Sequence, residues 1–337
     1  VTKTTKFLII RFSSIGDIVL TTPVIRCIKQ QYPNAEVHFV VKRKFKSVVE
    51  HNPYIDQLHY LDQDNLKDLI ADFKQINFDY IIDLHKTLRS YLLRFRLLRP
   101  TVTFRKLSVE KLIMNKFHID LLPKDLHIVT RNLKSVESLG IVDDHKPVDY
   151  FISPQEEVDL RSLPMTHQNG YIGFVIGGQH FTKRMPVEKI IRICQRIQLP
   201  IVLLGGPEDK PVADQIESTL GKNIYNACGK YQLNQSVSLL KSAKVVIAHD
   251  TGLMHISGAF NKPIVSIWGG TSATHFGVWP YLNSQNVIAQ VEGLDCHPCS
   301  NFGLKACPKK HFRCMYDQNE QFIVDSALQM FATNSNA

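Results

Sequence analysis

At 337 residues the chain is longer than one hydrophobic core usually organises, so two domains of roughly 150 residues each are expected. A composition of 44% hydrophobic and 21% charged residues excludes a disordered chain, and no apolar run approaches the roughly 18 residues that would cross a bilayer. The 40 Lys and Arg against 31 Asp and Glu leave a net charge of +9, which favours an acidic partner such as phosphate, nucleic acid or a membrane surface, or else reflects a basic surface without a role.

In chain order, residues 6–12 form an apolar run of strand length, followed by the loop Ser13-Ser14-Ile15-Gly16-Asp17 and a helical stretch to about residue 31, bent at Pro23. The first six residues lead into that strand and not into an apolar signal core, so a cytoplasmic location is expected. A second strand over 36–41, a helix over 45–51 and a strand over 80–84 continue the alternation. The basic residues concentrate here, in Lys42-Arg43-Lys44-Phe45-Lys46 and across 86–116 with Arg89, Arg94, Arg96, Arg99 and Arg105. After a polar passage around 143–164 the pattern restarts. Strands at 171–176, 200–204, 243–248 and 263–268 alternate with helices near 187–197, after Asp209, near 235–242 and after Thr251. Residues 319–331 read as a closing amphipathic helix. Strand and helix alternating in this way mark parallel, helix-covered sheets.

Such sheets bind ligands beyond the carboxyl ends of their strands, where free N–H groups meet the positive end of a helix dipole. Three loops fit that place. The first is Ser13 to Asp17, with small residues and a carboxylate at its mouth; Asp17 as a simple helix cap is the competing reading. The second is Gly177-Gly178-Gln179-His180-Phe181-Thr182-Lys183-Arg184, whose cations suit nucleotide phosphates or are plain loop charges. The third is Asp250-Thr251-Gly252-Leu253-Met254-His255, a phosphate-binding turn or an ordinary cap followed by a packed histidine. No G-x-G-x-x-G fingerprint, P-loop or H-E-x-x-H motif is present, so the usual dehydrogenases, P-loop enzymes and metalloproteases lose support.

Taken together, these loops and the segment from Pro263 to Thr271 resemble the ADP-heptose:lipopolysaccharide heptosyltransferases of glycosyltransferase family 9 over nearly the whole chain. The resemblance implies a GT-B α/β fold, two Rossmann-like domains with parallel sheets facing across a cleft. On that basis residues 1–155 form an acceptor-binding domain and 165–318 a nucleotide-sugar domain, with 319–337 a helix and tail that pack back on the first domain. It implies Asp17 as general base and Lys183 as the contact to the donor phosphates. Ser14, Gly16, Thr182, Arg184, Glu208, Asp250, Thr251, Gly252 and His255 are the further donor candidates. Lys42, Arg43, His85, Arg89 and Arg105 are the acceptor candidates.

The activity so implied is inverting transfer of a heptose or related sugar from an ADP-sugar to an anionic glycolipid such as a lipopolysaccharide core. It needs no metal for the chemistry, and peripheral contact with the cytoplasmic face of the inner membrane would accompany it. Nucleotide-sugar epimerisation on the same fold, or nucleic-acid binding through the basic half without catalysis, are the alternatives. Cys296, Cys299, Cys307 and Cys314 have the spacing of a compact four-thiolate structural zinc site, or are four reduced, metal-free thiols; a disulfide pair is the lesser alternative.

Overall fold

A computed structural model describes residues 4–63, 65–123 and 127–335. The chain divides into two compact units, Val1–Lys106 with Leu126–Phe151, and Leu107–Asp125 with Ile152–Ala337.

The first unit is built on strands β1 (Thr5–Ile10), β2 (Ala35–Lys42), β3 (Gln57–Leu61), β4 (Tyr80–Asp83) and β5 (Thr101–Thr103), all parallel, in the order β3-β2-β1-β4-β5. The central strands are continuous apolar runs because helices cover both faces of such a sheet. Leu8, Ile10, Phe12 and Val40 pack with Leu69 and Phe73 of the helix Leu66–Ile76 and with Leu93 and Leu97 of the helix Leu88–Leu97. The single helix expected up to residue 31 is two, Ile15–Val19 and Thr22–Gln31, and Pro23 lies in the first turn of the second, where its missing N–H costs nothing. The helix expected at 45–51 is a 3-10 segment, Arg43–Val48. Arg26, almost fully buried, ties the end of this unit to its second helix through Asp144 at 2.7 Å, Asp149 and the Pro147 carbonyl at 2.9 Å.

The second unit carries β6 (Ile172–Val175), β7 (Ile201–Leu204), β8 (Ile224–Asn226), β9 (Val245–His249), β10 (Ile264–Trp268) and β11 (Asn286–Gln290), again all parallel, in the order β11-β10-β9-β6-β7-β8. Period-two alternation sends neighbouring residues to opposite faces and so to two separate cores. Ile172, Phe174, Leu203, Val245 and Ile247 meet the helices Val187–Ile197 and Lys210–Leu220. Val175, Val202, Leu204, Val246 and Ala248 meet Leu239 and Leu240 of the helix Leu233–Ser242 and Met254 of the helix Gly252–Ala259.

Two allegiances differ from the expectation. The closing helix Glu320–Ser335 buries Ile323, Val324 and Ala327 in a core of the second unit, so it is part of that unit. Residues 107–125, expected with the first domain, belong to the second unit, where Leu107, Met114 and Leu122 pack on Phe276. In both cases an apolar face has found the core able to bury it, which periodicity cannot specify.

Candidate active site

In each sheet the strand order reverses at one point, and loops leaving the two strands there diverge to open a crevice. In the first unit that point lies between β1 and β4, paired through Ile10 and Asp83. In the second it lies between β6 and β9, paired through Val175 and Ala248. The candidate residues fall at these two places.

At the first, Asp17 sits in the opening turn of the helix Ile15–Val19 with its side chain about one-third exposed, 34%. Arg11, at the end of β1, reaches Asp17 Oδ1 with Nη2 at 2.8 Å and is held by the carbonyls of Ser13 (Nε, 2.8 Å) and Leu84 (Nη1). The Ser14 hydroxyl donates to Asp17 Oδ2 at 2.8 Å and the Ser14 N–H to the same oxygen at 3.3 Å. Burial alone would raise the Asp17 carboxyl, but the Arg11 charge and the Ser14 hydrogen bonds outweigh it and hold the group below its ordinary value. Asp17 is thus an ionised carboxylate, fixed in direction and open to solvent on one side. The cap reading is also realised, since the same Ser14 bonds close the helix end.

Ser14 and Gly16 belong here with Asp17 in the first unit, whereas every other donor candidate belongs to the second. His85 follows β4 and packs edge-on to Phe12 with ring centroids 4.9 Å apart. Burial first and the Arg11 charge second push its imidazole down to about 3, so it is neutral and meets no acidic group as a cation. Its Nδ1 has no partner among the described residues. Arg43 is paired to Asp62 at 3.0 Å and stacks over Tyr60, so its charge is already answered. Lys42 is half-buried, and Arg89 and Arg105 are exposed. Arg11 was not foreseen, nor was Lys106, whose Nζ donates to the Lys86 carbonyl at 3.0 Å. Burial first, then Arg11, lower its ammonium.

At the second place, Lys183 Nζ lies 2.6 Å from Asp250 Oδ2, and the Thr271 hydroxyl donates to the same oxygen at 2.8 Å. Asp250 therefore acts by positioning Lys183, and it is too engaged to cap the helix Gly252–Ala259. Thr251 occupies the cap position, yet its side chain makes no capping bond, and its buried Oγ1 has no partner among the described residues. The N-terminal N–H groups of that helix are left without a side-chain cap beside a lysine held in place. Gly178 lies between them: a Cβ there would stand 3.3 Å from Arg184 Cγ and 3.8 Å from both Lys183 Cβ and Thr251 Cγ2.

Two donor candidates are engaged within the protein. Thr182 is 1% exposed; its hydroxyl accepts from the Leu304 N–H at 2.8 Å and its carbonyl accepts from Gly270 N–H at 2.9 Å. Arg184 donates through Nε to the Gly178 carbonyl and lies 3.4 Å from buried Asp209, which in turn accepts from Gly206 N–H at 2.9 Å. A Cβ on Gly177 would overlap that Asp209 carboxylate, which is why glycine is required there. Glu208 is exposed on the turn after β7, and His255 is buried one turn into its helix. His249, unforeseen, accepts from Met185 N–H at 3.2 Å and is neutral, pushed down to about 4 chiefly by burial.

The four clustered cysteines are free thiols, and among the described residues no three of their sulfurs lie within 4.8 Å of one another. A tetrahedral four-thiolate zinc holds its sulfurs roughly 3.8 Å apart; here burial first, then the neighbouring Cys299, Cys307 and Cys296, push the Cys314 thiol up. The segment also buttresses the Lys183 loop. Cys299 N–H donates to the Gly270 carbonyl at 3.1 Å, and a Cβ on Gly303 would crowd His180 Cβ at 2.7 Å and Lys183 Cγ at 3.1 Å.

A family model, glycosyltransferase family 9 (heptosyltransferase), matches residues 67–308, more than half of the chain. Lipopolysaccharide heptosyltransferase 1 of Campylobacter coli is 24% identical over 295 residues, 79% of this chain and 84% of that protein. Lipopolysaccharide heptosyltransferase 3 of Escherichia coli K12 is 25% identical over 296 residues, 81% of this chain and 84% of that protein. The structure of E. coli ADP-heptose lps heptosyltransferase II superposes with a TM-score of 0.73 at 18% identity, covering 98% of this chain and 99% of that one, and so shares the fold. The chain belongs to glycosyltransferase family 9, the heptosyltransferase family, and is a glycosyltransferase built of two parallel-sheet α/β domains.

Proposed function

We propose that this glycosyltransferase moves a heptose from ADP-heptose, with inversion, to a hydroxyl of an anionic glycolipid of the lipopolysaccharide-core type. The observation that carries the donor half is the uncapped helix start at Gly252 with Lys183 held beside it by Asp250 and Thr271. Backbone N–H groups and a fixed ammonium at one point are what a departing diphosphate requires, and they stabilise its charge without a metal. Glu208, near the end of β7, and His255 are assigned to the nucleoside and the binding turn. The names of the similar proteins, which specify heptose, ADP and lipopolysaccharide, support the choice of donor and acceptor.

In the acceptor half, Asp17 takes the proton of the attacking hydroxyl as the new C–O bond forms and the bond from the anomeric carbon to the phosphate oxygen breaks. The electron pair leaves with ADP. An ionised aspartate suffices because the hydroxyl becomes acidic only as the bond forms. Lys42, Arg89 and Arg105 are the cations assigned to the acceptor. The family match favours transfer over epimerisation or nucleic-acid binding.

The test is nucleotide release from a panel of nucleotide sugars with and without extracted core glycolipid. ADP release from ADP-heptose that depends on the acceptor, and persists in a chelator, supports the reading; release of equal rate without acceptor overturns it. Lys183→Ala should raise the donor KM and Asp17→Asn should lower kcat by roughly 10²–10⁴ with donor binding kept. A structural zinc at Cys296, Cys299, Cys307 and Cys314 requires the sulfurs to draw together. About one zinc per chain in protein purified without metal-affinity resin supports it, and its absence with four titratable thiols overturns it.

A further inference from the structure

The helix Leu88–Leu97 has two apolar faces, and only one is covered. Ser90, Leu93 and Leu97 are buried, with both leucines in the core of the first unit. On the opposite side Leu88 is 76% exposed, Tyr91 55%, Leu92 40% and Phe95 62%, with Leu98 just past the helix end at 79%. Positions 88, 91, 92 and 95 follow the i, i+3, i+4, i+7 spacing of a single stripe, so these side chains form one continuous strip on the water face. A helix of a water-soluble domain ordinarily carries polar residues there.

The charges around the strip say what covers it. Across residues 84–109 there are seven Lys or Arg and no Asp or Glu. Arg94 is turned inward to Asp83 at 3.4 Å and lies over the Tyr91 ring, which fixes the rotation of the helix on its sheet. Arg89 and Arg96 border the strip on its other side, exposed and without an ion pair among the described residues. An apolar strip edged by arginines, with a tyrosine among them, matches the boundary of an anionic bilayer, where apolar side chains enter the acyl region and guanidinium groups reach the headgroups. A protein partner would need acidic side chains around an apolar groove, and a second copy of this helix would set arginine against arginine.

We propose that the helix Leu88–Leu97 is the surface by which this protein lies on an anionic membrane, with Leu88, Tyr91, Leu92 and Phe95 inserted and Arg96 on the headgroups. Among the described residues no helix is long and apolar enough to cross a membrane, so this contact is in the plane of the surface. It rests on the transfer reading only for its purpose, which is to bring the enzyme to a lipid-anchored acceptor; the binding itself involves neither donor nor acceptor.

The experiment is co-sedimentation of the full chain with vesicles of phosphatidylcholine containing about one quarter phosphatidylglycerol, and with phosphatidylcholine alone. Wild-type protein should sediment with the anionic vesicles, less with neutral ones, and less at high salt. The double variant Leu88→Ser/Phe95→Ser should bind roughly tenfold or more weakly, and Arg96→Gln severalfold more weakly, with thermal stability and ADP binding unchanged. Wild-type protein that stays in the supernatant, or a double variant that binds as well as wild type, overturns the proposal. A dimer in sedimentation velocity that the double variant abolishes reassigns the strip to a second copy and overturns it as well. Since the vesicles hold no sugar acceptor, failure here leaves the transferase reading intact, and failure of transfer leaves this one intact.

Discussion

Asp17 owes its state to Arg11. Burial alone would raise a carboxylate in that loop; the Arg11 charge, with both Ser14 donors, outweighs it and lowers the group. A base with a lowered value stays ionised as the medium is acidified, so the acid limb of kcat/KM should lie below the ordinary carboxylate range. Arg11→Gln removes the charge that favours the carboxylate, and the limb should then move to higher pH. The pH profiles of the two proteins check this, and an unmoved limb would show that Asp17 is not the group being titrated. Lys183 is governed the same way at the other crevice: its ammonium is placed by Asp250, and Asp250 by Thr271, a chain of contacts spanning three separate loops.

Among the elements, the closing helix Glu320–Ser335 shows how a polar contact and an apolar face act together. Ile323, Val324 and Ala327 enter the core, while Glu320 at its start meets Lys189 at 2.9 Å and Arg192 at 2.7 Å. The Arg192 hydrogen bonds, against the cost of burial and aided by Lys189, lower the Glu320 carboxyl from 4.5 to about 2. A group whose value is depressed on folding contributes stability above its unfolded value and loses it as the pH falls through the folded one. Glu320→Gln should therefore destabilise the protein by about 1–3 kcal/mol near neutrality, where it leaves Lys189 without its charged partner. The gap to wild type should narrow as the pH falls from 4.5 toward about 2, with urea midpoints as the measurement. A gap that is constant with pH would mean that packing, and not charge, is what the substitution disturbs.

Taken whole, the molecule is two units with separate sheets and separate cores, and a ligand held by one should stabilise that one. ADP at about 100 times its Kd adds roughly 2.7 kcal/mol to the unit that binds it. Calorimetric scans should show ADP raising the transition of the second unit in wild type and in Asp17→Asn, with the rise largely lost in Lys183→Ala. An equal rise in Lys183→Ala would take the nucleotide away from the β6–β9 crevice.

The interior strands, the small residues at their ends and the loops that carry Asp17 and Lys183 were legible in the amino-acid order. A parallel strand buried on both faces must be a continuous apolar run, and a loop that meets a ligand at a helix start must be small and polar. The edge strands β3, β5, β8 and β11 were not, because an edge is half-exposed and its composition is mixed. Nor was the division of labour within the Lys183 loop, where Thr182 and Arg184 brace the glycines and Lys183 alone among these three reaches Asp250. Leu304, the partner of Thr182, and Asp250, the partner of Lys183, lie far off in the chain, and only the fold brings them within hydrogen-bond distance. The same holds for the helix Leu88–Leu97, whose leucines occur on both faces: periodicity reveals two apolar stripes, and it is the sheet beneath that decides which one is buried and which one is left for another surface.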